Sequence, residues 1–342
     1  MINYMDILKS KQMPIKKFAK NDLKREMISD KLLDILICPV CNTYGLHKIG
    51  EDIYCENNNC SKSKDAFYMV NSKPVLINFK KSLVDEEGFR ANAGKSIIKR
   101  RGSGIIQNLK LLFHGKSKKT INNFSDLKSR MLNITDPKIL IVGGGEIGSG
   151  LDDFYLNLKD NIIAFDIYES ESVSFVADAH FIPIIDNYFD LVIIQAVIEH
   201  VLDPCQVVSE ISRVLNYNGI VYAETPFMQQ VHEGPFDFTR YTESGHRFLF
   251  KNFKVVSSGY TSGVGISLIW SLDFFFSGLF RSRYAGKIAR LVFFWLRFFD
   301  NIIPDKFNID GACGVYFMGE KSESNLNGSE IIKYYQGNQE IN

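Results

Sequence analysis

Apolar residues along the chain fall into two regimes. From Ile139 onward, short apolar runs recur between glycines, aspartates and prolines: "ILIV", "IIAF", "VSFVA", "FDLVII" and "GIVYA". Runs this short, rich in β-branched residues and without polar alternation, read as strands buried on both faces of a parallel sheet. "ISRVL" carries helical spacing, the "NG" after it reads as a turn, and "FKVVSSGY" and "GACGVYFMGEK" read as strands six and seven. The expected class is α/β, with a doubly wound, mostly parallel, seven-stranded sheet. Before Ile139 the regime changes. Residues 1–30 are a basic arm, and 31–79 mix short apolar runs with cysteines. Residues 80–135 form a basic helical linker, with a weak patch "IIQNLKLLF" and a stronger helical pattern, "KSKKTINNFSDLKSRML", ending before Pro137. The α/β unit occupies 136–325, an aromatic-rich insertion at 264–304 separates its last two strands, and 326–342 read as a disordered tail.

Charge sharpens that division. The net charge is +1, yet residues 1–130 carry 25 Lys/Arg against 13 Asp/Glu, and residues 131–342 carry 15 against 26. A basic half joined to an acidic half suits two modules. The basic half can face phosphate, an anionic membrane surface, or its own acidic partner domain. The N-terminal run has no apolar core of signal-peptide length, which points to a cytoplasmic protein.

Four of the six cysteines lie close together: Cys38, Cys41, Cys55 and Cys60. A CxxC pair and a CxxxxC pair make two knuckles, and four thiolates close a tetrahedral shell around a structural zinc, with an iron centre as the alternative. A segment this short buries too little to fold alone, and metal supplies the difference. With "LLDILICPVC" at its start and "SKPVLIN" at its end, Lys31 to Asn78 resembles the zinc-ribbon family that activates methyltransferases as a partner subunit.

"ILIVGGGEIGSG" places Gly143, Gly145 and Gly148 in a GxGxxG after the first strand, a pattern shared with dinucleotide sites. Asp166 closes strand two, where an acid can hold both ribose hydroxyls of an adenosine, and Asp178 closes strand three. With "ADAHFIPIIDNYFDLVIIQAVIEHVLDP" and "EISRVLNYNGIVYAETPF", the chain from Ile139 to Phe227 resembles the class I S-adenosylmethionine-dependent methyltransferases. The resemblance is to the type 11 group that includes the ubiquinone and menaquinone enzymes. It implies that Gly143 and Gly145 approach the methionine end of S-adenosylmethionine and that Asp166 holds the ribose. Asp178 and Ala179 then border the adenine, and Gln195 lies beside the sulfonium, with Glu199 and His200 following. Ile141 stands where many members carry an acid that orients the cofactor's amino group; Glu146 is the candidate substitute. The short stretch after Asp166 leaves room only for a crossover without a usual helix.

"HEGPFDFTRYT" follows the fifth strand and resembles a block found in bacterial methyltransferases of surface-glycan pathways. His232 is its candidate base, and Asp237 its partner or a second catalytic group. Arg240 and Tyr241, with His200, are candidate substrate contacts. The 264–304 segment reads as a helical cap or as an interfacial pair on the inner membrane face, with Arg281, Arg283, Lys287, Arg290 and Arg297 toward headgroups. The resulting expectation is methyl transfer to a hydroxyl of a surface-glycan or lipid-linked intermediate. An RNA (tRNA or ribosome) methyltransferase and a non-catalytic scaffold are the alternatives.

Overall fold

A computed structural model describes residues 29–96, 117–323 and 326–339. Residues 1–28 of the basic arm, and the "IIQNLKLLF" patch and "KRRGSG" run of the linker, lie outside the described residues.

In chain order, α1 (Asp30–Leu33) precedes a hairpin of β1 (Leu46–Ile49) and β2 (Asp52–Cys55), then β3 (Met69–Val70) and β4 (Lys73–Leu76). α2 (Glu86–Ala91) and α3 (Lys118–Leu132) lead to β5 (Ile139–Val142), α4 (Asp152–Leu158), β6 (Ile162–Asp166), β7 (Phe175–Ala177) and β8 (Phe189–Gln195). α5 (Pro204–Val214), β9 (Leu215–Pro226), α6 (Glu243–Leu249) and β10 (Phe253–Ser262) follow. The insertion forms α7 (Val264–Leu279), α8 (Arg283–Val292) and a 3-10 segment, Phe294–Asn301; α9 (Asp305–Asp310), β11 (Gly314–Lys321) and α10 (Gly328–Lys333) complete the chain.

Among the described residues the main sheet has nine strands, in the order β10-β11-β9-β8-β5-β6-β7-β4-β3. Seven come from the 136–325 unit, with β11 antiparallel between β10 and β9. The seven-strand expectation is corrected by the two strands that the cysteine-rich segment adds. Val75 and Leu76 of β4 pair in parallel with Val176 and Ala177 of β7. Without β4, β7 would be an edge strand of open backbone groups. The "KPVLIN" run is apolar enough to bury there, and Val75, Leu76 and Ile77 are all buried. Further bonds tie Ile37 N to Pro183 O (3.0 Å) and Ile185 N to Ile35 O (3.0 Å).

β5 explains the unbroken apolar runs. Leu140 and Val142 join a core shared with Leu36, Cys38 and Cys60 of the cysteine-rich segment. Ile139 and Ile141 face the other way, onto Phe124, Leu127 and Met131 of α3 and Phe154 and Leu158 of α4. Alternate side chains serve opposite covered faces, so every position is apolar. α3 earns its place by the same logic: its buried residues Thr120, Phe124, Leu127 and Met131 recur at helical spacing, and Ser117 caps it by accepting from Thr120 N.

Two local expectations are corrected. The "NG" turn is an irregularity inside β9: Asn218 takes φ 61°, and the register jumps from Leu215↔Phe189 to Ile220↔Leu191. The tail is ordered over its described residues. Asn327 and Glu330 form a capping box on α10, Ile331 is buried, and the buried Arg247 donates to Ile331 O (2.8 Å) while its guanidinium lies over Tyr334. A buried guanidinium needs every acceptor it can reach, and the tail carries one. In the insertion, Asp273, an acid within an apolar run, pairs with Arg290 across the α7–α8 hairpin (2.8 Å), and Asp300 caps α7 through Gly263 N and Gly265 N (2.9 and 2.7 Å). Among the described residues no helix is long and apolar enough to cross a membrane.

Candidate active site

At the carboxyl ends of β5, β6, β7, β8 and β9 lies a cavity of about 710 Å³. That is the end at which open α/β sheets gather ligands. The glycine loop forms its floor. Gly143 has φ +75°, and a Cβ there would meet Val197 Cγ2 at 2.1 Å. At Gly145 a Cβ would lie 2.6 Å from Asp166 Oδ2. Both positions need glycine, one for its conformation as well as its space and one for the approach of the acid. Asp166, 8% exposed, accepts from Gly145 N through Oδ2 (2.8 Å) and from Ile167 N through Oδ1 (2.7 Å). The loop and the acid are therefore one unit. The segment between β6 and β7 has no helix, as its length implied.

Asp178 lies just beyond β7 and also lines the cavity, as does Ala179. Its Oδ1 accepts from His180 N (2.9 Å) and pairs with His180 Nδ1 (2.6 Å), while Ser82 Oγ donates to Oδ2. Burial opposes its ionisation, but these bonds outweigh burial and lower its pKa. Ser82 belongs to the stretch expected to be a linker. Leu83, Val84 and Phe89 of that stretch line the cavity as well, so its first part is a wall of the pocket. No sequence signal marked it, because its contact with Asp178 spans 96 positions.

Gln195 stands at the end of β8. Its Nε2 donates to Glu224 Oε2 (2.6 Å) and Ser149 O (3.2 Å), which leaves Oε1 buried, near Gly148 and without a partner among the described residues. Glu224, unassigned by sequence reasoning, also accepts from Thr120 Oγ1 (2.7 Å) and Tyr222 OH (2.5 Å), and burial raises its pKa. Ile141 is buried in the core on the α3 side and does not line the cavity. Glu146 is exposed at the rim and does line it.

The far end of the cavity gathers the "HEGPFDFTRYT" block. Asp237 is gripped by Arg240 Nη2 (2.8 Å) and Nη1, and accepts from His232 N (2.9 Å). Burial would raise its pKa, but Arg240 and the amide outweigh it and hold it at about 2. His232 Nδ1 lies 3.3 Å from Asp237 Oδ2. Burial, followed by the charge of His200, lowers the His232 pKa, so its ring is neutral at pH 7. His200 Nδ1 is 2.7 Å from Phe236 O. Glu199, fully buried, lies between the two histidines, and burial pushes its pKa up to about 8. Arg240 also donates to Gln229 O (2.8 Å), so its guanidinium braces the loop. Tyr241 packs against the main core and is not a cavity residue.

The second candidate centre is the cysteine cluster. Cys38, Cys41, Cys55 and Cys60 bring their sulfurs within 4.8 Å of one another. Cys38 and Cys60 lie 3.8 Å apart, and Cys41 and Cys55 3.6 Å. Tetrahedral zinc with bonds of about 2.3 Å separates its sulfurs by roughly 3.8 Å, so the cluster fits the ion.

Residues 146–223 match the family described as Methyltransferase domain, so the chain carries a methyltransferase domain. No curated protein sequence matches the chain. Among solved structures, a Galdieria sulphuraria protein described as a sarcosine dimethylglycine methyltransferase is similar at 14% identity, over 69% of this chain and 97% of that one, with a TM-score of 0.40. Phosphoethanolamine N-methyltransferase 2 of Haemonchus contortus, in complex with S-adenosyl-L-methionine, is 14% identical over 58% of this chain and 52% of that one, with a TM-score of 0.38. A SAM-dependent methyltransferase from Aquifex aeolicus is 15% identical over 46% of this chain and 94% of that one, with a TM-score of 0.34.

Proposed function

We propose that the protein transfers the methyl group of S-adenosylmethionine to a hydroxyl of a surface-glycan or lipid-linked intermediate, with a structural zinc in the cysteine cluster. The observation that carries this reading is the division of one cavity into two chemistries. One end has the glycine loop, Asp166 and Asp178; the other has a neutral histidine backed by an ionised aspartate.

The residues present fit the cofactor. Asp166 offers an oriented carboxylate to ribose hydroxyls, and Asp178 retains acceptor capacity for the adenine amino group. Gln195 Oε1, unpartnered and aimed at the loop, can accept from the cofactor's amino group, with Glu224 behind it. That pair answers the substitution of Ile141 better than the exposed Glu146. When bound, the cofactor supplies an electrophilic methyl on a sulfonium. The chain's own work is to align an acceptor oxygen with it and to take the hydroxyl's proton. His232 Nε2 is the acceptor for that proton, and the Asp237 carboxylate 3.3 Å from Nδ1 favours the tautomer protonated there.

Support for a lipid-linked acceptor comes from the α7–α8 hairpin. Phe275, Leu279, Phe280 and Ile288 are exposed on it, beside Arg281, Arg283 and Lys287, and Trp295 is exposed on the 3-10 segment that follows. Gln230, two residues before His232, donates to Ser271 of α7 (3.1 Å), which ties the hairpin to that loop. An interfacial helical pair of this composition suits a peripheral position on the inner membrane face. The RNA alternative rests on the ribbon and the basic linker, and the linker's "KRRGSG" run lies outside the described residues.

Calorimetric titration with S-adenosylmethionine and S-adenosylhomocysteine tests the cofactor, and methyl transfer to lipid-linked glycan pools tests the acceptor. One-to-one cofactor binding with labelled product in the lipid-linked fraction is expected. Cofactor binding with product only in RNA would overturn the acceptor.

A further inference from the structure

The acceptor end of the cavity holds a group that proton transfer alone does not explain. Glu199 is 0% exposed at its side chain, yet neither carboxylate oxygen has a hydrogen-bond partner among the described residues. A buried carboxyl group without partners is costly in either protonation state, and such groups are normally hydrogen-bonded, paired or bound to a metal. Arg240, the nearest strong cation in the block, is committed to Asp237 and to backbone carbonyls.

What faces Glu199 is a pair of imidazoles. His200 Nε2 lies 3.7 Å from Glu199 Oε1 and His232 Nε2 3.9 Å from it, and one ligand atom from each of the three residues falls within 4.8 Å of the others. Each ring is already oriented through its other nitrogen. His200 Nδ1 meets Phe236 O, which can only accept, so Nδ1 is the donor and Nε2 carries the lone pair; His232 Nδ1 lies 3.3 Å from Asp237 Oδ2, a charge that favours a proton on Nδ1 and a lone pair on Nε2. A histidine whose second nitrogen donates to a carbonyl or carboxylate is the usual arrangement of a metal-bound imidazole.

We propose that Glu199, His200 and His232 bind a divalent cation, zinc by the donor set, at the acceptor end of the cavity. Two imidazoles and one carboxylate leave at least one coordination position for water or substrate, unlike the closed four-thiolate cluster. Donor atoms around tetrahedral zinc with bonds of about 2.0–2.1 Å sit roughly 3.3 Å apart, so the two Glu199–histidine distances, 3.7 and 3.9 Å, close by about half an ångström on binding. Glu199, His200 and His232 line the same cavity as Gly143 and Asp166. Use of the open position in methyl transfer rests on the reading above: an acceptor hydroxyl bound there becomes more acidic and releases its proton to water at the pocket mouth. In that form His232 Nε2 holds the cation and is not the proton acceptor.

The test uses the full chain with its cysteine cluster filled, and cobalt(II) or zinc as the probe, without cofactor or acceptor. Elemental analysis after equilibrium dialysis should find two zinc equivalents in the wild type and one in Glu199→Gln and His232→Ala. Cobalt should add a second set of absorption bands without thiolate charge transfer, also lost in Glu199→Gln. The glutamine variant removes the anionic ligand oxygen and keeps the shape, and Cys41→Ser should lower the other equivalent while leaving these bands. A single equivalent in the wild type, or a second equivalent unaltered in Glu199→Gln, would overturn the site. Because this readout needs no cofactor, it stands or falls apart from the methyltransferase reading. Turnover that survives removal of the second equivalent would return His232 to the role of base and overturn the cation's part in the reaction.

Discussion

Asp166→Asn gives the sharpest access to the cofactor end. The native carboxylate, 8% exposed, spends one lone pair of each oxygen on Gly145 N and Ile167 N. Its charge strengthens whatever ribose hydroxyls donate to it. Hydrogen bonds to charged groups contribute about 1.5–3 kcal/mol, against about 0.5–1.5 for neutral pairs, so losing the charge costs about 1–1.5 kcal/mol per hydroxyl. Two hydroxyls give roughly 2–3 kcal/mol, a rise in Kd of about 30- to 150-fold; one hydroxyl gives about tenfold. The asparagine must also turn its NH₂ toward one of the two amides, leaving a buried N–H unpaired at about 1–3 kcal/mol, which lowers stability. Calorimetric titration of the zinc-loaded variant with S-adenosylhomocysteine measures the first effect, and urea unfolding the second. Zinc content should be unchanged, since the cysteine cluster shares no bond with Asp166. A Kd within threefold of wild type, with the variant folded, would refute the assignment and leave Asp166 as a strut for the glycine loop.

Four further outcomes follow from the same structure. His232→Ala should bind S-adenosylhomocysteine within about threefold of wild type while turnover falls by about 10²–10⁴-fold, the usual worth of a positioned acid–base group, and full activity would remove the ring from the reaction. Cys41→Ser should release zinc at lower chelator concentration and lower Tm by several degrees, because Cys38, Cys55 and Cys60 belong to the same buried core as β5, as scanning calorimetry will show. His246 is buried, with its pKa pushed down to about 3, while an unfolded histidine titrates near 6.5. Between those values the unfolded chain binds the extra proton, so stability falls as pH drops below about 6.5, by up to about 1.4 kcal/mol per pH unit; urea unfolding at pH 7.5 and 5.5 should show a steeper loss in wild type than in His246→Asn. Deleting residues 326–342 removes buried Ile331 and an acceptor of Arg247, and should cost about 3 kcal/mol in urea unfolding, whereas a dispensable tail would leave the midpoint unmoved.

The chain's local pattern determined the α/β sheet, the order of its elements and the glycine loop with Asp166. Those features are written in short-range periodicity: buried strands as apolar runs, loop glycines where no Cβ fits, an acid at a strand end. The paired cysteines were legible for the same reason, since each knuckle is local. Tertiary structure alone decided that β4 joins the sheet beside β7, because an open edge has no signature in the strand that covers it. It also decided that Ser82 reaches Asp178 and that the tail shields Arg247, through contacts between segments far apart in the chain. Glu199 is the clearest case. In sequence it is an acid beside a histidine, indistinguishable from a cap or turn residue. Its burial without a partner, and the convergence of His200 and His232 on it, exist only once β8 and the loop after β9 are folded against each other.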